Sequence, residues 1–417
     1  MSPSQFDEFR PPEPPRKRRF GRVQDADGER KRPRRSADAG ASEGRREMLM
    51  VPDVEFERFE PPRQSGQTGQ TGQAGHSGRH GQTGHAEEVG QTGQHDPYSS
   101  YYGRNVVKPP PWGHEIPAYL FLGGMAGGAG LIALGAQLTG REALRRNARL
   151  GSLTAVALGG AALVADLGRP DRFYNMLRTV KLSSPMSVGS WILAAFSGGM
   201  GIAAVAEVDR LTKQVVPLGP LQPLRTALGL VEGPGGWIAA AFAPPLTAYT
   251  AVLLSDTANP TWNAAYRHLP FVFVSSATMA GCGLSLVTTT TEETGPVRAL
   301  AAVAALSDVT SMIIMESQMD PVAAEPLHEG HPGAMLRWSE RLVVAGGLGA
   351  AVFGGNRIGA ALSGLALMTA SALTRFGVFE AGMESARNPR YTVEPQRNRL
   401  RARRAAGETG DSITTAG

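Results

Sequence analysis

One cysteine, Cys282, stands in 417 residues. A lone thiol closes no disulfide within the chain and supplies no four-cysteine site for zinc or an iron–sulfur cluster. Histidine is missing where it would matter most. Of eight histidines, His76, His80, His85 and His95 lie in a polar leading stretch, His114 and His268 precede apolar runs, and His328 and His331 fall between two others. No apolar run contains one, so the paired axial ligands of a membrane b-type haem are absent. The expectation is a chain without haem, cluster or other metal, the histidines of the leading stretch being the weak exception. Charge is sparse as well, at 19%, and it crowds into the ends and a few loops. The net +5 comes mostly from those ends and argues poorly for nucleic acid. Arg18-Arg19-Phe20 has twin-arginine lettering, but no apolar segment follows it, so no secretion signal is read there.

What is present divides three ways. Residues 1–110 are polar, with a basic proline-rich part (Arg16–Arg35) and Gly-Gln-Thr-Gly repeats from Gly66 to Gln94. Such composition buries too little apolar surface to offset ordering entropy, which predicts a disordered tail. Residues 387–417 read as a second, basic disordered tail. Between them, in 111–386, Ala, Gly, Leu and Val dominate. A helix needs about 20 apolar residues to cross a bilayer. Runs near 116–138, 150–167, 182–206, 233–255, 269–291, 296–315, 338–356 and 358–379 meet or approach that, the seventh least clearly. The expected fold class is an all-α integral membrane protein of about eight transmembrane helices. Pro244-Pro245 is expected to break the fourth run, and 221–231 reads as an interfacial helix before it. Runs such as Gly123-Gly124 and Gly198-Gly199 let helix backbones approach closely. The basic tails favour a multi-pass protein of the cell membrane with both termini cytoplasmic; Arg141, Arg145, Arg146 and Arg149 in the first loop argue the other way.

Polar groups near these runs carry the chemistry. Asp166 ends the second run, and Arg169-Pro170-Asp171-Arg172 follows; Pro170 stops the helix, and Arg169 and Arg172 are placed to reach back to the acid. The plain alternative is a charged interfacial loop. Trp112, His114, Glu115 and Tyr119 open the first run, where aromatic residues are ordinarily belt residues but could also hydrogen-bond a quinone carbonyl and pass protons. Tyr249 lies one turn past the double proline. Asp308 is the one acid well inside a run, and a buried acid in a bilayer reads first as part of a proton path; hydrogen bonding to Ser307, Thr310 or another helix is the structural alternative. Arg375 could balance it or Glu316, or snorkel to the interface.

Several segments together resemble the NrfD-like family, the quinone-interacting membrane subunits of polysulfide-reductase and nitrite-reductase type. They are Tyr119-Leu120-Phe121-Leu122-Gly123-Gly124, Asp166-Leu167-Gly168-Arg169-Pro170 with Arg172, Phe173 and Asn175, Ser184-Pro185-Met186-Ser187-Val188-Gly189-Ser190-Trp191, Tyr249-Thr250, and Leu269-Pro270 with Phe273 and Ser275-Ser276-Ala277. The likeness runs from about Trp112 to Asn388. It implies two four-helix bundles and a quinone pocket (menaquinone or ubiquinone) near one membrane face, built on His114, Tyr119 and Tyr249. It implies a structural turn at Arg169, Pro170, Arg172 and Asn175, and no haem or cluster in this chain. Ala251 replaces a glycine usual after Tyr-Thr. The implied partners are a four-cluster ferredoxin-like iron–sulfur subunit and a molybdopterin oxidoreductase subunit. The expected function is therefore a membrane anchor exchanging electrons between a partner's clusters and quinone, with Glu115, Asp166 and Asp308 moving protons. A transporter or permease, or a purely structural anchor, is the alternative. Broken helices and buried acids suit translocation, yet the Pro-Pro break occurs once and is not repeated in the other half.

Overall fold

A computed structural model of the protein describes residues 105–212 and 222–407. The tail expected over 1–110 lies outside the described residues except for 105–110, as do its four histidines and residues 408–417. The described part is helical throughout: α1 (Glu115–Leu138), α2 (Glu142–Ala165), a 3-10 helix (Pro170–Leu177), α3 (Pro185–Leu211), α4 (Gln222–Ser255), α5 (Pro260–Ala264), α6 (Leu269–Thr288), α7 (Gly295–Gln318), α8 (Pro321–His328), α9 (Gly330–Val352), α10 (Arg357–Arg387) and α11 (Arg390–Ala405). Eight of these have 20 residues or more, enough to span roughly 30 Å of hydrocarbon. Seven are also apolar enough to cross a membrane. The eighth, α9, carries His331, Arg337, Glu340 and Arg341 in its first half, so only its second half is continuously apolar.

The long helices form two rings of four. In the first, α1 packs on α2 and α4, and α3 on both of those; in the second, α6 packs on α7 and α10, and α9 on both of those. The rings meet where α1 lies against α6. That seam is a backbone contact. A Cβ placed on Gly128 would lie 2.3 Å from the Ala277 carbonyl oxygen, and one on Gly281 would lie 2.4 Å from the Gly128 carbonyl carbon. Only glycine permits that approach. Outward side chains such as Leu306 (70% exposed), Leu348 (63%) and Leu362 (62%) form the apolar surface that lipid covers, since no aqueous protein leaves so many large apolar groups bare.

Three expectations need correction. The double proline does not break its helix: α4 runs unbroken from Gln222 to Ser255 with Pro234, Pro244 and Pro245 inside it. Proline deletes an N–H but not helical φ, and the Thr247 hydroxyl donates to the Pro244 carbonyl at 2.8 Å. The same continuity absorbs the separate interfacial helix expected at 221–231. The basic tail expected over 387–417 is helical in its first half, as α11. Arg390 makes paired hydrogen bonds to both Glu325 carboxylate oxygens at 2.7 and 2.8 Å and one to Glu394 at 3.0 Å, and Tyr391 and Pro395 are buried. The Glu325 contact holds the Arg390 guanidinium above its ordinary pKa.

Candidate functional site

The up-and-down course of the helices brings the starts of α1, α3, α6 and α9 and the ends of α2, α4, α7 and α10 to one face, here the leading face. His114 and Glu115 open α1 there, both exposed. Asp166 closes α2 beside them. Its Oδ1 accepts a hydrogen bond from the Gly113 N–H at 3.0 Å, and Gly113 also lies against the Glu115 carboxylate. The structure therefore brings the two predicted carboxylates together around one backbone amide. It does not join Asp166 to Arg169 or Arg172: both arginines are exposed, and among the described residues no ion pair links them to the acid. Pro170 instead starts the 3-10 helix, as a proline at a first helical position does, and Asn175 accepts from Arg178 at 3.3 Å. A short polar turn leaves the acid's nearest donor on the approach to α1.

Trp112 is not a belt residue. Its ring stacks on Trp262 of α5 and Phe379 of α10 at centroid distances of 6.0 and 6.5 Å, which pins the approach to α1 onto the second ring of helices. One turn into α1, Tyr119 is 3% exposed within a cluster that includes Ile116, Leu120, Leu254 and Leu269. Among the described residues its buried hydroxyl has no hydrogen-bond partner. A buried unmatched hydroxyl costs about 1–3 kcal/mol, so it calls for a partner beyond them. Tyr249 borders the same cluster from α4. Its ring rests on the bare backbone of Gly189 in α3, where an added Cβ would lie 2.2 Å from a ring carbon. The two tyrosines thus share one apolar cluster, and His114, Glu115 and Asp166 lie at the leading face by the start of α1.

Asp308 is elsewhere. It sits mid-helix in α7, 4% exposed, and accepts from the Ser275 hydroxyl of α6 at 3.2 Å, not from Ser307 or Thr310. Arg375 of α10 neither snorkels nor forms a direct ion pair. It is fully buried, stacks over the Phe273 ring at 3.7 Å and donates to the Phe273 carbonyl at 2.6 Å, within Coulomb range of Asp308. Among the described residues no group of three or more histidine, cysteine or acidic side chains is placed to hold a metal.

One polar centre escapes sequence reading. At the opposite face, Glu207 of α3 (2% exposed) accepts from Arg145 and Arg149 of α2, both at 2.8 Å, and lies 3.4 Å from Arg210. Arg149 also donates to Gln137 at 2.6 Å, and Arg210 pairs with Glu232. A signal exists in the four-residue spacing of Arg145 and Arg149, one helical turn apart. Taken as loop charge, the pair reads only as setting topology.

Comparison with known proteins bears on these residues. A polysulfide reductase subunit of Wolinella succinogenes is 28% identical over 184 residues, 42% of this chain and 57% of that protein. The protein thus spans little more than half of that relative's length. The family described as polysulphide reductase, NrfD, matches over residues 104–315, from just before α1 into α7, short of the Asn388 limit of the sequence likeness. A match over half of the chain, across a helical membrane fold, makes the protein a member of the NrfD polysulphide reductase family.

Proposed function

We propose that the protein is the membrane anchor of an oxidoreductase complex and exchanges electrons between a partner iron–sulfur subunit and membrane quinone at the leading face. The observation that carries this reading is the buried Tyr119 hydroxyl, unpartnered among the described residues, one turn below an exposed histidine and two carboxylates. A quinone fits that set: its ring suits an apolar wall, and its oxygens accept hydrogen bonds. When bound, it supplies a two-electron, two-proton couple. His114, Tyr119 and Tyr249 donate hydrogen bonds that orient it. Ile116, Leu120 and Leu254 exclude water from its ring. Glu115 and Asp166 hold and release protons at their carboxylate oxygens where the wall meets water. A ferredoxin-like subunit, with a molybdopterin subunit behind it, docks at this face, and the anchor resides in the cell membrane with its termini cytoplasmic.

Tyr119→Phe and Tyr249→Phe in the assembled complex test the reading. Each should raise the KM for quinol about tenfold, the loss of one hydrogen bond of about 1.4 kcal/mol, with little change in folding. If Tyr119→Phe leaves KM unchanged and raises thermal stability, its hydroxyl had no ligand to meet and the quinone site lies elsewhere.

A further inference from the structure

Asp308 lines a cleft of about 110 Å³ between α7, α8, α9 and α10. That volume holds several waters, since one needs on the order of 10–15 Å³ on this scale. Glu316 and His328, near the leading-face ends of α7 and α8, line it together with Arg337 and Glu340 of α9 and the hydroxyls of Ser339 and Thr374. Glu316 and His328 approach to 3.9 Å. Asp308 lies eight residues before Glu316 on α7, about 12 Å deeper at 1.5 Å per residue. Arg375 is near Asp308 but is not among the lining residues. Two of its nitrogens, Nε and Nη1, are buried without hydrogen-bond partners among the described residues, and Nη2 lies against α1 at Gly124. An acid and a base held in mid-membrane without a direct ion pair are costly, and such groups face water or each other.

We propose that this cleft is a closed-ended proton path, in which water carries protons between the leading face and Asp308, and Arg375 is the positioning residue that favours the charged carboxylate. In the step, a hydronium ion in the cleft transfers its proton to an Asp308 carboxylate oxygen. One O–H bond forms, one breaks, and water remains. The positive charge on Arg375 is then uncompensated and favours return of the proton to a water in the cleft, which re-forms hydronium and the carboxylate. The charged groups near Asp308 on the packed helices are Arg375 of α10, within Coulomb range of it, and Glu316, His328, Arg337 and Glu340 in the cleft lining. This goes beyond the quinone site, which lies in the other ring, and does not need it.

The test is one-sided water access, read with a membrane-impermeant thiol reagent on the full chain in sealed vesicles, in a Cys282→Ser background. Met312→Cys should react at least tenfold faster than Ile314→Cys, which lies within about 3 Å of the same depth but is outside the cleft lining and exposed on the apolar surface, and only when the reagent is on the leading face. Equal slow rates, or reaction from the opposite face, overturn the proposal. Asp308→Asn and Asp308→Glu supply a second readout in pH-jump infrared difference spectra. The protonated-carboxyl band should vanish in Asn and return, shifted, in Glu. An unchanged band in Asp308→Asn overturns the proton role. Because access is measured without quinol turnover, failure of the quinone reading would leave this result standing.

Discussion

At Glu207, one carboxylate faces three guanidinium groups, and its side chain is 2% exposed. Removing one member of a buried ion network strands the rest, at a cost of about 3–5 kcal/mol. Arg145 and Arg210 are 19% and 43% exposed and can turn to water, so Glu207→Gln should cost about 3 kcal/mol, the low end of that range. Thermal unfolding in detergent measures it. Replacing Arg149 by Met in the same protein should recover part of the loss, because the stranded charge goes with it. Asp308 is legible from sequence because it interrupts an uncharged run. Glu207 is not, because it stands one residue past the end assigned to the third run, where a charge needs no explanation. The lone Tyr119 hydroxyl is beyond reach for another reason: that a group has no partner is known only when every neighbour has been placed.

At the scale of elements, existence is more legible than extent. Long uncharged runs announce helices through the cost of burying unpaired backbone in lipid. Their ends depend on contacts that composition does not contain. The double proline reads as a break from local rules, yet α4 continues through it, with α1 pressed against that turn at Gly127. The error at α11 runs the other way. Arginine-rich composition reads as solvated tail, and the helix is docked by Glu325, 65 residues away in sequence. Arg390→Ala should therefore loosen α11 while leaving the membrane helices intact. Limited trypsin digestion should cut after Arg397 or Arg399 about tenfold faster, matching a loss of about 1.4 kcal/mol of docking free energy when opening precedes cleavage. Unchanged digestion would mean that Tyr391 and Pro395 hold the helix without the ion pair.

Across the whole molecule, the ring of four recurs: α1 to α4 and then α6, α7, α9 and α10, in the same neighbour order. The quinone reading places its residues in the first ring and the proton path in the second, with Arg375 touching α1 across the seam. Gly281→Leu would drive a branched side chain into the α1 backbone. Overpacking typically costs about 1–3 kcal/mol, and here both rings should loosen together, seen as one unfolding transition at lower temperature. Two separate transitions would mean that the rings are independent. The glycine seam has a mechanical corollary. Carriers that expose a cargo site first to one side and then to the other tilt one half against its twin, and so need sliding surfaces between them. Where main chain presses on main chain with no side chain between, there is nothing to slide on. A pair fastened in this way suits a fixture that keeps its place in the bilayer, as the anchor of a redox complex does.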